Sequence, residues 1–345
     1  MRQVAKLACA RIAGSSLARH CVGRLERRET LPAFELRVLT YHRIGSPERD
    51  DAGDPKLFSA TPDAFAEQLD VLAEHYCVVS IEEVLAAAGD RRLLPPRAVL
   101  ITFDDAYADF QELAWPMLQE RQLPVVLFVP TAYPDRQEAG FWWDRLARAI
   151  READFGTVIA EPCGRMVLST PRRRQRASQR LRAFVKSLPH DEAMACVDRI
   201  CEQLLRASAA APGSPPRSRQ GANEPATLGW DALRRLHAEG VAIGAHTRTH
   251  PLLNRIGRER LEEEVYGAKA DLERELGSCL PVFAYPAGAV DSEAVRVVRA
   301  AGFRVGLTTR PGLNRLDTDE PFRLRRYHVG IATTASLLRT RLALR

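Results

Sequence analysis

The apolar run Ala98-Val99-Leu100-Ile101 passes through Thr102-Phe103 and stops at two adjacent carboxylates, Asp104 and Asp105. Few folds can use such a stretch. A strand apolar on both faces belongs inside a covered parallel sheet, where chemistry gathers at the carboxyl ends of the strands. Two neighbouring acids repel, so they call for a metal ion, a cation or a shared proton. The rest of the chain keeps the same alternation. Strands are expected over residues 35–41, 77–80, 98–103, 125–129, 241–245, 282–285, 303–308 and 323–331. Thr61-Pro62-Asp63 opens a helix, with Thr61 as cap and Phe65, Leu69 and Leu72 at helical spacing. Further helices are expected around Phe110, Leu113 and Leu118, over residues 258–276 with Leu261, Val265 and Leu272 inward, and over 295–301. Strands alternating with helices mean a parallel sheet or a (β/α) barrel.

The alternation breaks at residues 136–226, where helical segments are expected without a strand. This region holds the basic run Arg172-Arg173-Arg174-Gln175-Arg176 and a loose Pro/Gly/Ser stretch at 211–223. It reads as an α-helical insertion in one catalytic domain spanning residues 31–345; a separate helical domain is the alternative. With 46% hydrophobic and 27% charged residues, the chain is ordinary for a globular protein. Its net charge of +6 is concentrated in residues 1–30, which hold seven Lys/Arg against two Glu, so no nucleic-acid face is implied. That basic amphipathic segment reads either as a peripheral contact with an anionic membrane or as a plain surface helix. Arg11 interrupts any signal-peptide core, and no apolar run is long enough to span a bilayer. The seven scattered cysteines form no Cys-x-x-Cys pair and fit a reducing compartment. The expected location is the cytoplasm or the inner membrane surface.

The partner of the acid pair is His246-Thr247-Arg248-Thr249-His250, also straight after a strand. A helical or tight-turn backbone puts imidazoles four residues apart on one side, able to share a metal. Zinc proteases with His-Glu-x-x-His carry their base directly after the first histidine; Thr247 stands there, so the base and a third ligand must come from Asp104-Asp105. Two His and one carboxylate leave positions open for water and substrate, which suits Zn²⁺ and admits other divalent ions.

Thr102-Phe103-Asp104-Asp105, His246-Thr247-x-x-His250 and Phe283-Ala284-Tyr285-Pro286-Ala287-Gly288 resemble, in order, the motifs of polysaccharide deacetylases with the NodB homology domain, carbohydrate esterase family 4. Leu39-Thr40-Tyr41-His42-Arg43-Ile44 looks like the exopolysaccharide-deacetylase branch, and the resemblance covers about residues 37–330. It implies a distorted (β/α) barrel and metal-dependent removal of acetyl groups from an N-acetylhexosamine in a polysaccharide or lipid-linked saccharide. It further implies Asp104 as general base, Asp105, His246 and His250 as metal ligands, and His42 as general acid, with His328 as the alternative. Substrate is expected to meet Tyr285 and Ala287, the latter through its N–H at the oxyanion. Two positions depart from the pattern. Ala106 replaces a common glycine, a mild change only if the backbone there is not left-handed. The arginine that usually orients the base is missing beside Tyr285, and Arg326 is the expected substitute. Phe141, Trp142 and Trp143 are candidates for stacking on sugar. The rival readings are an inactive glycan-binding protein and a metal amidase acting on a non-sugar substrate.

Overall fold

The computed structural model describes residues 13, 15–27, 29–47, 55–136, 140–153, 156–209 and 227–344. The chain divides into two compact units: one from segments 1–46, 56–135 and 227–345, the other from 47–55 and 136–226.

The first unit carries the acid pair together with His246 and His250. Its strands β1 (Glu35–Tyr41), β2 (Ala98–Asp104), β3 (Val125–Val129), β4 (Ala242–Ala245), β5 (Val282–Ala284) and β6 (Val305–Leu307) run parallel in that spatial order. The expected final strand is shorter than residues 323–331: only β7 (Tyr327–His328) forms, parallel to β1 through Leu39↔Tyr327 and Thr40↔His328. Just before it, Leu324 bridges Leu307 of β6. The segment from 324 to 328 thus crosses from one sheet edge to the other and closes a distorted (β/α) barrel.

Strand periodicity sorts the side chains. Leu39, Tyr41, Ile101, Phe103, Leu127, Val129 and Phe283 face the helices Pro62–His75, Trp230–Ala238, Arg258–Leu276 and Ser292–Ala300. Their alternates Val38, Leu100, Val126, Phe128, Ala284, Leu307 and Leu324 form a second cluster closed by helix Ile81–Asp90. This second set is the barrel interior. It is tight: a Cβ on Gly244 would come within 2.5 Å of the Phe128 ring, so only glycine lets β4 sit beside β3. Local signals start the helices as expected. Thr61 caps Pro62–His75, and Ser80 with Glu83 forms a capping box on Ile81–Asp90.

Helix Ser16–Glu26 docks on the first unit. Buried Glu26 takes hydrogen bonds from Arg339 (Nε 3.0 Å, Nη2 2.7 Å) and from the Tyr76 hydroxyl at 3.1 Å. Burial raises its pKa, but Arg339 and Tyr76 outweigh burial and leave the carboxyl below its ordinary value. A depressed carboxylate contributes stability above its unfolded pKa and loses it as pH falls through the folded one. Glu26→Gln is therefore expected to cost about 1–3 kcal/mol at pH 7 and progressively less below the ordinary glutamate pKa, read from urea midpoints across pH. Residues 1–12, 14 and 28 of the expected membrane-contacting segment lie outside the described residues, as does the loose stretch at 211–223. Among the described residues no helix is long and apolar enough to cross a membrane.

The second unit corrects one expectation. Beside helices Trp142–Glu152, Pro171–Val185 and His190–Ala209 it contains an antiparallel hairpin, Thr157–Ala160 with Gly164–Val167. Its four-residue arms are too short to stand out in the sequence against the flanking helical periodicity. Phe141, Trp142 and Trp143 are buried, and the rings of Phe141 and Trp143 stack at 4.5 Å. These aromatics pack the unit's interior and do not offer a sugar platform. The basic run is only partly solvated, since Arg174 closes the end of Trp142–Glu152 by donating to the carbonyls of Ile150, Arg151 and Ala153.

Candidate active site and metal centre

Periodicity of two along β2 puts Thr102 and Asp104 on the barrel's inner face. After Asp104 the chain turns sharply, with Asp105 at φ 76° and Ala106 at φ 50°. The backbone at Ala106 is therefore left-handed, so replacing a common glycine there carries strain of about 1–2 kcal/mol. Leu228 N–H donates to Ala106 O at 2.9 Å and helps hold the turn. The result splits the pair: Asp104 stays in the barrel, while Asp105 swings toward the end of β4.

His246 follows β4, and residues 247–250 form a tight turn, not a helix, with Thr247 at φ 66° and His250 at φ 61°. His250 N–H donates to Thr247 Oγ1 at 3.0 Å. His246 Nδ1 lies 2.7 Å from the Ala284 carbonyl, to which it must donate, leaving Nε2 as the lone-pair nitrogen. Burial holds the His246 imidazole down at about 4, so at neutral pH it is in the uncharged form that ligates metals. Asp105 Oδ1 sits 3.6 Å from His246 Nε2 and 3.3 Å from His250 Nε2. Ligands about 2.0–2.1 Å from a tetrahedral ion stand about 3.3–3.4 Å apart. Asp105 Oδ1 is also buried with no hydrogen-bond donor in good geometry. One Asp and two His with ligand atoms within 4.8 Å of one another thus fit a divalent ion.

Asp104 is held differently. Arg326, on the segment that closes the barrel, meets it bidentately, Nη1 to Oδ1 and Nη2 to Oδ2, both at 2.7 Å. The side chains are 0% and 4% exposed, so the pair is desolvated. Arg326 Nε donates to Thr308 O at 2.8 Å and Nη1 reaches Thr102 Oγ1 at 3.3 Å, which fixes the guanidinium plane. Burial raises the Asp104 pKa, but the Arg326 charge and hydrogen bonds dominate and hold it well below the carboxylate range. The cation beside Asp104 thus comes from the segment that closes the barrel between β6 and β1, not from the Ala284-Tyr285 motif.

The two remaining histidines lie together, the His42 and His328 rings meeting edge-to-face at 5.7 Å. The His42 N–H is pinned by Ser59 Oγ at 2.9 Å, and His42 Nδ1 is buried without a hydrogen-bond partner. His328 has an exposed edge, yet burial of the rest of the ring, with the His42 imidazole next, lowers its pKa to about 4. Tyr285 needs correction. Adjacent residues on a strand face opposite ways, so an inward Ala284 forces Tyr285 outward; its ring is fully buried, 5.3 Å from Phe283, and does not reach substrate. Ala287 is exposed in a left-handed turn at φ 51°. Sequence reasoning missed Glu264, which is buried and takes hydrogen bonds from Arg248 N and Thr249 N at 2.8 Å each. The available signal was an acid on the inward stripe of helix Arg258–Leu276, between Leu261 and Ala268.

The family model for polysaccharide deacetylases matches residues 206–306, which hold His246, His250 and the Phe283–Gly288 turn. A poly-beta-1,6-N-acetyl-D-glucosamine N-deacetylase of Escherichia coli K12 is 35% identical over 125 residues. Over these residues the chain is similar to the polysaccharide deacetylase family. The alignment with the E. coli protein covers 36% of this chain and only 16% of that much longer relative. Among solved structures, the Streptococcus pyogenes deacetylase PplD in complex with acetate superposes with TM-score 0.57 at 18% identity, covering 89% of this chain and 97% of that one. IcaB from Ammonifex degensii gives 0.56 at 20% identity, with 89% and 97% covered. At such identities these structures show a shared fold alone.

Proposed function

We propose that the chain is a polysaccharide deacetylase, a metal-dependent hydrolase that removes N-acetyl groups from an N-acetylglucosamine-containing exopolysaccharide. The observation that carries the reading is the division of the acid pair: Asp104 clamped by Arg326, and Asp105 turned toward His246 and His250. Asp105, His246 and His250 would hold the ion, and their donor set favours Zn²⁺. When bound, it polarises the amide carbonyl and acidifies water. Asp104 takes a proton from the attacking water, whose oxygen bonds to the amide carbon. Arg326 keeps that carboxylate ionised and in plane. The Ala287 N–H donates to the developing oxyanion. His42 delivers a proton to the departing nitrogen, so that acetate and a free amine leave, and His328 flanks it. The E. coli relative supports a β-1,6-linked N-acetylglucosamine polymer as substrate.

The test is acetate release from oligomers of β-1,6-linked N-acetylglucosamine by the purified protein. Release is expected to stop when metal is stripped with a chelator and to return when Zn²⁺ is added back. Equal release from the stripped protein would sink the metal-dependent reading, and release only from non-sugar amides would move the protein to another substrate class.

A further inference from the structure

The histidine turn is an improbable piece of backbone. Two of its non-glycine residues, Thr247 and His250, sit at positive φ, which costs each about 1–2 kcal/mol. A turn so strained keeps its shape only if its surroundings over-determine it. The hydrogen bonds converging on it come largely from helix Arg258–Leu276. Glu264 Oε2 accepts from both Arg248 N and Thr249 N at 2.8 Å, and its Oε1 accepts from Thr249 Oγ1 at 2.5 Å. Arg260 Nη2 lies 3.0 Å from Glu264 Oε1 and balances the charge at the rim. Two turns further along the same helix, Asp271 accepts from Arg248 Nε at 3.1 Å and from Thr131 Oγ1 at 2.7 Å. Thr131 N–H in turn donates to Thr247 O at 3.0 Å. Gly267, between the two acids, makes room: a Cβ there would stand 2.3 Å from Arg248 Cδ.

We infer that Glu264 is the positioning residue of the metal centre, holding the turn between His246 and His250 in the strained shape that aims both Nε2 atoms at Asp105. The inference rests on the proposed metal-dependent reading. A carboxylate suits the task because the groups that converge on it, two backbone N–H groups, one hydroxyl and the Arg260 guanidinium, are all donors that need acceptors. A glutamine can accept at only one side-chain oxygen and would set an N–H against a donor. Outer partners that orient ligands typically govern metal affinity by about 10–100-fold.

The experiment measures Zn²⁺ affinity of the full chain by competition with a chromophoric chelator, with thermal unfolding of the metal-free protein alongside. Glu264→Gln is expected to weaken Zn²⁺ binding by about 10–100-fold, and Thr249→Ala, which removes only the hydroxyl bond to Glu264, to weaken it less. At saturating Zn²⁺, kcat should return most of the way to wild type, because Glu264 touches neither substrate nor ion. A Glu264→Gln protein that binds Zn²⁺ like wild type while melting earlier would overturn the inference, leaving Glu264 a fold residue only. If Glu264→Gln does not fold, Thr249→Ala decides, and unchanged affinity there overturns it. A wild-type chain that binds no Zn²⁺ overturns the metal-dependent reading and this inference together, which separates the two failures.

Discussion

Asp104→Asn is expected to remove acetate release almost completely, with kcat down by about 10²–10⁴-fold, the usual worth of a positioned general base. The substitution changes little in volume. It removes the proposed proton acceptor and turns an amide N–H toward a guanidinium that has only donors to offer. Zn²⁺ binding should survive, because the proposed ligands are Asp105, His246 and His250, whereas Asp104 is held by Arg326. The measurement pairs acetate release with Zn²⁺ stoichiometry on the same preparation. Lost activity with retained metal places Asp104 in the proton transfer. Wild-type rates across N-acetylglucosamine oligomers would remove it from the mechanism. The control that matters is folding, since the variant leaves the Arg326 charge buried without its partner.

Much of this arrangement was legible in the sequence, because strand period and motif order are local properties. An apolar run ending in Asp104-Asp105, and a second ending in His246, already implied acids and imidazoles gathered at the strand ends of a parallel sheet. The same period of two, carried further, would have turned Tyr285 away from substrate once Ala284 was taken as inward, and would have aligned Leu324, Arg326 and His328 on one inner face. The expectation over residues 323–331 treated that stretch as an ordinary last strand. Its actual role depends on closure: Leu324 pairs with β6 and Tyr327 with β1, a long-range fact that no local pattern carries. The left-handed backbone at Asp105, Ala106, Thr247 and His250 was hidden for a different reason. None of these residues is glycine, and a tertiary clamp such as Glu264 can hold a conformation that propensity disfavours. The hairpin of the second unit escaped notice because four-residue arms give too little periodicity to compete with the helices around them.

Arg326→Met is expected to be the most destabilising single change at the site, by about 3–5 kcal/mol, because it strands a desolvated carboxylate. The geometry explains why lysine would not rescue it. Arg326 simultaneously serves both oxygens of Asp104, the carbonyl of Thr308 and the hydroxyl of Thr102, a fork that one ammonium cannot reproduce. Arg326→Lys should therefore stay folded but lower kcat by about 10²-fold, the scale of effect that follows from about 1 Å of misplacement in a reacting group. The decisive comparison is a double-mutant cycle. Asp104→Asn combined with Arg326→Met removes both charges, so it should be more stable than either single variant while remaining inactive. If the double variant instead loses the sum of the two single losses, the pair does not act as a unit, and the clamp on Asp104 must be sought elsewhere. The sign of that coupling energy, measured by urea unfolding, separates a cation that compensates a buried base from one that merely packs beside it.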